Sequence, residues 1–201
     1  MEFADVVRRR RMVRSYRADP VPEEVLERVL RTARRAPSAG FSQGQYLVVV
    51  TDEGTRRAIA HLADEEGHVA KGLEPWMSQA PVHVVVCVRE DDYHERYNEP
   101  DKVTAEGNEI EWPVPYWWVD VGGSMMMLLL AAVDEGLGAG FFGWHRLEGV
   151  TELLGIPDDV APIGVVTLGY ATDDQPAGSA TRGWKPFEHV VRRDRWEQGW
   201  S

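Results

Sequence analysis

Residues 120–135, DVGGSMMMLLLAAVDE, set the strongest limit on the fold. The stretch is apolar nearly all round between Asp120 and the Asp134–Glu135 pair. A helix without a polar face has to be enclosed on every side, so this one is expected at the centre of a layered domain. Its apolar middle, MMMLLLAAV at 125–133, is too short to span a bilayer, which also points to a core helix. Three β-branched runs, YLVVVT, VHVVVCV and IGVVTLGYA, read as buried strands. They are few and separated by helical stretches, so a mixed α+β domain of layers follows.

The remaining segments fit around this frame. In DPVPEEVLERVLRTARRAP, Val21, Val25, Leu26, Val29, Leu30 and Ala33 recur at helical spacing and make a buried stripe. Pro22 suits its first turn, and Pro37 ends it because the residue before a proline avoids helical geometry. EGTRRAIAHLADEEGHVAKGL predicts a helix interrupted at Gly67, and residues 2 to about 10 are weakly amphipathic. Residues 90–118 carry little periodicity and end in WPVPYWW. A long irregular stretch of this kind tends to be a lid or binding loop. The 201 residues read as one domain, with residues 185–201 as a C-terminal arm. No apolar leader is visible at the N-terminus, and the expected setting is soluble and cytoplasmic, without a membrane partner. Cys87, alone in the chain, sits in an apolar run and reads as a buried inert thiol.

The chemistry-bearing signals separate by context. Gly138, Gly140 and Gly143 spell a formal G-x-G-x-x-G, but a helix precedes them where a dinucleotide fold needs a strand. A helix cap at Gly136 or Gly138, followed by close backbone approach to something flat, is the plainer reading. His61, Asp64, Glu65 and His68 share a helix face that could hold a metal, yet the spacing fits no zinc signature, and no metal is expected. Ser38 has no nucleophile-elbow context, so a hydrolase has no support. RRRRMVRSYR at 8–17 packs six arginines into a chain of net charge -11. Only the first 35 residues are markedly basic, which argues against a nucleic-acid partner. Met12, Val13 and Tyr16 interleave the arginines, so part of the segment should turn inward. Arg14, with Arg10 or Arg11, would then grip a single phosphate through forked guanidinium hydrogen bonds.

The order of these segments resembles the FMN-dependent nitroreductase family. RRMVRSYRADPVPEEVLERVLRTARRAPSAGFSQ is similar to the family's opening, DVGGSMMMLLLAAVDEGLGAGFFG to its central helix and following turn, and LLGIPDDVAPIGVVTLGYA and KPFEHVV to its close. The resemblance implies a three-layer α/β/α sandwich with a mainly antiparallel central sheet. It also implies an intertwined homodimer with two FMN sites at the subunit interface, NAD(P)H as electron donor, and a nitroaromatic, quinone or enone acceptor. By motif position it assigns Arg10, Arg11, Arg14, Lys185 and Arg182 to the FMN phosphate, with Met12 at a serine position beside it. Pro37, Ser38, Ala39 and Gln43 fall beside the ribityl chain and ring, and Ala139, Gly140 and Phe141 at the flavin's N5 and O4 edge. Phe41 stands where many members have a ring-edge asparagine, and Gly44 and Gln45 replace a Pro-Trp pair. Trp112, Tyr116 and Trp117, with Phe41, are expected to wall the substrate side; core packing is the alternative for Trp117 and Trp118. No side-chain catalyst is expected, because the flavin carries the chemistry. Two other readings remain: a flavin-fragmenting dimethylbenzimidazole synthase, which APSAGFSQ also resembles, and a non-catalytic flavin-binding protein.

Overall fold

The computed structural model describes residues 1–143, 149–172 and 182–200. In chain order the elements are α1 (Phe3–Arg9), α2 (Glu23–Ala33), a 3-10 turn (Ala39–Phe41), β1 (Gln45–Val50), α3 (Glu53–Leu62), α4 (Glu65–Val69), α5 (Trp76–Gln79) and β2 (Val82–Arg89). Then follow α6 (Asp91–Tyr97), α7 (Tyr116–Asp134), β3 (Gly138–Gly143), α8 (Val150–Leu154), β4 (Val160–Gly169) and α9 (Phe187–Val190). The strands form one sheet in the order β1-β2-β4-β3, and every pairing is antiparallel.

The sheet is buried on both faces, which explains why β2 is valine-rich without alternation. Val82, Val84, Val86 and Val88 pack with Leu26 and Val29 of α2 and with Val121 and Leu128 of α7. Val85 and Cys87 point the other way, toward Ile59 of α3, Trp76 and Met77 of α5 and Val150 of α8. Each fully buried valine contributes roughly 1.5 kcal/mol or more relative to exposure. The result is the expected α+β sandwich: α2 and α7 on one face, α3, α5 and α8 on the other. Cys87 is buried as expected, and burial, which disfavours the charged thiolate, pushes the thiol up to about 12.

Four elements differ from the sequence expectation. α7 starts at Tyr116, four residues before Asp120, so the helix is 19 residues long and apolar enough to cross a membrane by length and composition. The length argument therefore lapses, and packing against the sheet identifies it as a core helix. The enclosure is also incomplete, since Trp118, Val119 and Met126 remain exposed on one side. The expected excursion at 90–118 narrows, because α6 claims its start and α7 its end. The helix over 53–73 breaks at Asp64, not Gly67: Asp64 adopts φ 58, and Glu65 turns inward. GLGAGFFG, expected as a turn, is strand β3 from Gly138 onward, while Gly136 (φ 78) does follow the end of α7.

The N-terminal segment closes the far edge of the sheet. Met12 forms a parallel bridge with Ala139, Val13 N–H donates to the Ala139 carbonyl at 2.9 Å, and Tyr16 bridges Ala171. Beyond α9, the arm folds on itself through the Arg192–Gly199 bridge, with Arg193 stacked 4.5 Å from the Trp200 ring centroid. Its aromatic residues stay in solvent; Trp196 is 79% exposed.

Candidate active site

The arginine segment lies along β3. Extended backbone after α1 carries Met12 into the α2–α7 layer and Val13 into the α3–α5 layer. Arg10 and Arg14 are half-buried, while Arg8, Arg9, Arg11 and Arg17 are exposed. Arg14 lies over the Trp76 ring, 5.9 Å from its centroid. Arg11 instead joins Arg9 and Arg17 around a separate cavity of about 300 Å³ floored by Val13, Leu137 and Ala139. Ala139 and Gly140 are buried inside the strand, opposite Leu168 and Thr167. A side chain at Gly140 has no room: an added Cβ would stand 2.5 Å from the Val13 carbonyl, 2.7 Å from Thr167 Oγ1 and 2.9 Å from the Trp76 ring. The Trp76 ring is thus one of the groups that crowd Gly140. Phe141 is half-buried against the α2–α7 layer.

The PSAGFSQ loop sits at the other edge, leading into β1. Gly40, Phe41 and Gln43 all have left-handed backbone (φ 61, 61 and 57). For a residue as bulky as phenylalanine that conformation is an outlier, costing about 1–3 kcal/mol, and it persists only where neighbours enforce it. Here the neighbours are numerous. Asp120 of α7 accepts the Ala39 N–H at 2.8 Å, Ser38 Oγ accepts the Gln43 N–H at 2.9 Å, and Ser42 Oγ donates to the Ala39 carbonyl at 2.7 Å. Arg96 Nε donates to the Gly40 carbonyl at 2.9 Å, and the Tyr97 ring fills the space where a Cβ of residue 40 would stand. Pro37 accepts from the Gln45 side chain. The clamped loop presents Phe41 to solvent, 73% exposed. Phe41 and Gln43 line a cavity of about 960 Å³ with Tyr46, Leu47, Arg34 and Arg35.

The aromatic residues expected as a substrate wall divide. Trp117 is buried and belongs to the core, so the packing alternative holds for it; Trp118 and Tyr116 are exposed. Trp112 packs edge-on against Tyr97 at 4.6 Å and donates Nε1–H to Glu109 at 2.5 Å, which makes it the back support of the loop. Glu109 also meets His94 Nδ1 at 2.6 Å, and this carboxylate, with Glu90, raises the His94 pKa. Lys185 lies exposed at the start of the C-terminal arm, and Arg182 lies exposed just before it.

The helix face considered for a metal is used otherwise. His61 pairs with Glu66, and Glu65 is buried with its carboxylate accepting the Met77 and Ser78 N–H groups at 2.6 and 3.0 Å. Among the described residues no acid, histidine and cysteine group has metal-site geometry. Sequence reasoning missed Asp120, Arg96, Tyr97 and Trp76. Asp120 alone left a signal, as the acid near the start of an otherwise apolar helix.

The two candidate halves stand at opposite edges of the sheet. β1 and the arginine segment are separated by β2, β4 and β3, roughly 19 Å at four strand spacings.

Comparison with known proteins places this geometry in context. The model of the Nitroreductase family matches residues 7–170. An NADH dehydrogenase of Thermus thermophilus is 32% identical over 178 residues, covering 83% of this chain and 85% of that protein. An FMN reductase [NAD(P)H] of Bacillus subtilis is 29% identical over 172 residues, covering 81% of this chain and 63% of that one. The structure of B. megaterium NfrA2 superposes with a TM-score of 0.76 at 22% identity, covering 98% of this chain and 76% of that one, which is a likeness of fold.

Proposed function

The chain belongs to the nitroreductase family, and from that premise we propose that it is an FMN-dependent oxidoreductase drawing electrons from NAD(P)H. Its acceptor is a flat, electron-poor molecule: a nitroaromatic, a quinone or an enone. The curated relatives carry names of the same chemistry, NADH dehydrogenase and FMN reductase.

The residues present suit the cofactor. Arg10 and Arg14 offer half-buried guanidinium groups to a phosphomonoester, and charge-assisted bonds of this kind are worth about 1.5–3 kcal/mol each. The clamped 38–43 loop offers a preset surface, with Phe41 outward, for the flat ring or its substrate. Bound FMN supplies hydride acceptance and donation at its ring. The chain's own residues supply placement: arginines anchor one end, and the loop limits access at the other.

The observation that carries this reading is the separation of the two halves on one sheet. A second copy, related by a two-fold axis, would bring its loop to the first copy's arginines and give two equivalent sites. Three features support such a homodimer: the exposed Trp118, Val119 and Met126 face of α7, the edge of β1 left unpaired among the described residues, and the aromatic arm left in solvent. Arg182 and Lys185, just before and at the start of that arm, are then free to add positive charge at a phosphate.

The purified protein is expected to be yellow with a flavin absorption spectrum, or to bind FMN on titration, and to oxidise NAD(P)H when a quinone or nitroaromatic is added. A protein that neither carries nor binds flavin would overturn the reading. Production of dimethylbenzimidazole from reduced FMN in air would replace the reductase with the flavin-fragmenting synthase.

A further inference from the structure

The helix α5, Trp76–Gln79, has only four residues, too few to hold itself by its own hydrogen bonds. Three polar side chains, two of them buried, are aimed at its backbone. Glu65 accepts the Met77 and Ser78 N–H groups at 2.6 and 3.0 Å. His83 Nε2–H donates to the Met77 carbonyl at 2.8 Å, and Arg56 Nη1 donates to the Ala80 carbonyl at 2.5 Å. Burying a carboxylate and an imidazole is costly unless their bonds fix something. What they fix is Trp76, 5% exposed, its ring edge-on to Phe142 at 5.7 Å and its rim seated in the space left by Gly140. Above that ring lies Arg14.

We propose that Trp76 is a positioning residue: its ring face holds the Arg14 guanidinium at the angle from which it grips the FMN phosphate. The proposal rests on the reading of Arg14 as a cofactor ligand. A core-filling tryptophan needs no such station, since an apolar side chain on a regular strand fills volume equally well. A guanidinium on a flexible stem, by contrast, loses rotamer freedom when it binds a phosphate, and an aromatic platform removes part of that cost beforehand. Gly140 has a part in the same device, because a Cβ there would stand 2.9 Å from the Trp76 ring and disturb its seat.

The test is a double-mutant cycle read by flavin-fluorescence quenching on FMN titration, with the apo-protein melting temperature confirming each fold. Arg14→Gln is expected to raise the FMN Kd tens-fold, and Trp76→Leu about five-fold. The double variant should bind no more weakly than Arg14→Gln alone. Should Trp76→Leu fail to fold, Trp76→Tyr and Trp76→Phe form a graded series, with affinity falling from Trp to Tyr to Phe only while Arg14 is present. A flat series, or an equal loss in the Arg14→Gln background, overturns the proposal. If Arg14→Gln alone leaves FMN binding unchanged, the reading of Arg14 falls first, and that single variant reveals it.

Discussion

The two halves of the candidate site are held by opposite means, and a histidine behind each makes the contrast measurable. Behind the arginine half, His83 is fully buried; burial lowers its pKa to about 4, and its Nδ1 has no hydrogen-bond partner among the described residues. Behind the loop half, His94 sits near the surface between Glu109 and Glu90, which raise its pKa. The first half is a buried arrangement in which Glu65 and His83 bond to the backbone of α5. The second is a web of partly exposed charge, including Arg89 with Asp92, Glu95 and Asp159 and Arg96 with Asp101, tightened around a strained loop. Acid should therefore damage one half, and alkali or salt the other.

The largest expected effect comes from His83. Its folded-state pKa lies below the ordinary 6.5, so the unfolded chain takes up the proton first. Stability present above pH 6.5 is lost as pH falls toward 4, by about 3 kcal/mol at most. Urea unfolding between pH 7 and 4 measures it, and His83→Gln should flatten that limb; an unchanged slope would remove His83 from the account. Gly140→Ala comes next, expected to cost about 2 kcal/mol because its Cβ meets backbone as well as side chain. Denaturant midpoints check this, and a neutral result would mean that the β3 edge is looser than its contacts indicate.

Phe41→Gly works in the reverse direction. It relieves left-handed strain at φ 61 and should stabilise the fold by about 0.5–1 kcal/mol after the greater chain entropy of glycine. A melting temperature that drops instead would show the exposed ring to be held by its neighbours. The smallest effect belongs to His94. Its raised pKa means that its stabilisation is complete below pH 6.5 and is lost as pH climbs through the folded-state value. Exposure limits this to a few tenths of a kcal/mol. His94→Gln should abolish that small alkaline decline, and an identical decline in the variant would point to other groups.

Much of this architecture was legible in the periodicity. The stripe of Val25, Leu26, Val29 and Ala33 located α2, and the valine runs marked strands buried on both faces. The apolar stretch at 125–133 identified the central helix, but not that one side of it stays open, because periodicity reports burial without saying which molecule supplies the cover. β3 was hidden by its glycines, which read locally as a turn. They are there because Val13 and Trp76 crowd the strand, a long-range fact. The arginine cluster was visible as a cluster, whereas its division was not: Arg14 stands over Trp76 and Arg11 lines another cavity, and only the packing of the segment against β3 and α5 decides this. That the arginines and the PSAGFSQ loop lie at opposite edges follows from the β1-β2-β4-β3 order, which no local pattern encodes.

That separation is also the point on which the account turns, and complementation between two damaged chains tests it directly. Arg14→Ala removes the proposed phosphate grip, and Gly40→Val, whose side chain would collide with Tyr97, is expected to disorder the loop. Each variant alone should hold only a small fraction of the normal FMN at the lowest concentration that saturates the intact protein. Unfolded together and refolded as a mixture, they should recover about one quarter of the normal flavin content, because half of the random dimers would each hold one intact site. A mixture that binds no more FMN than its separate components would contradict a site shared between two copies.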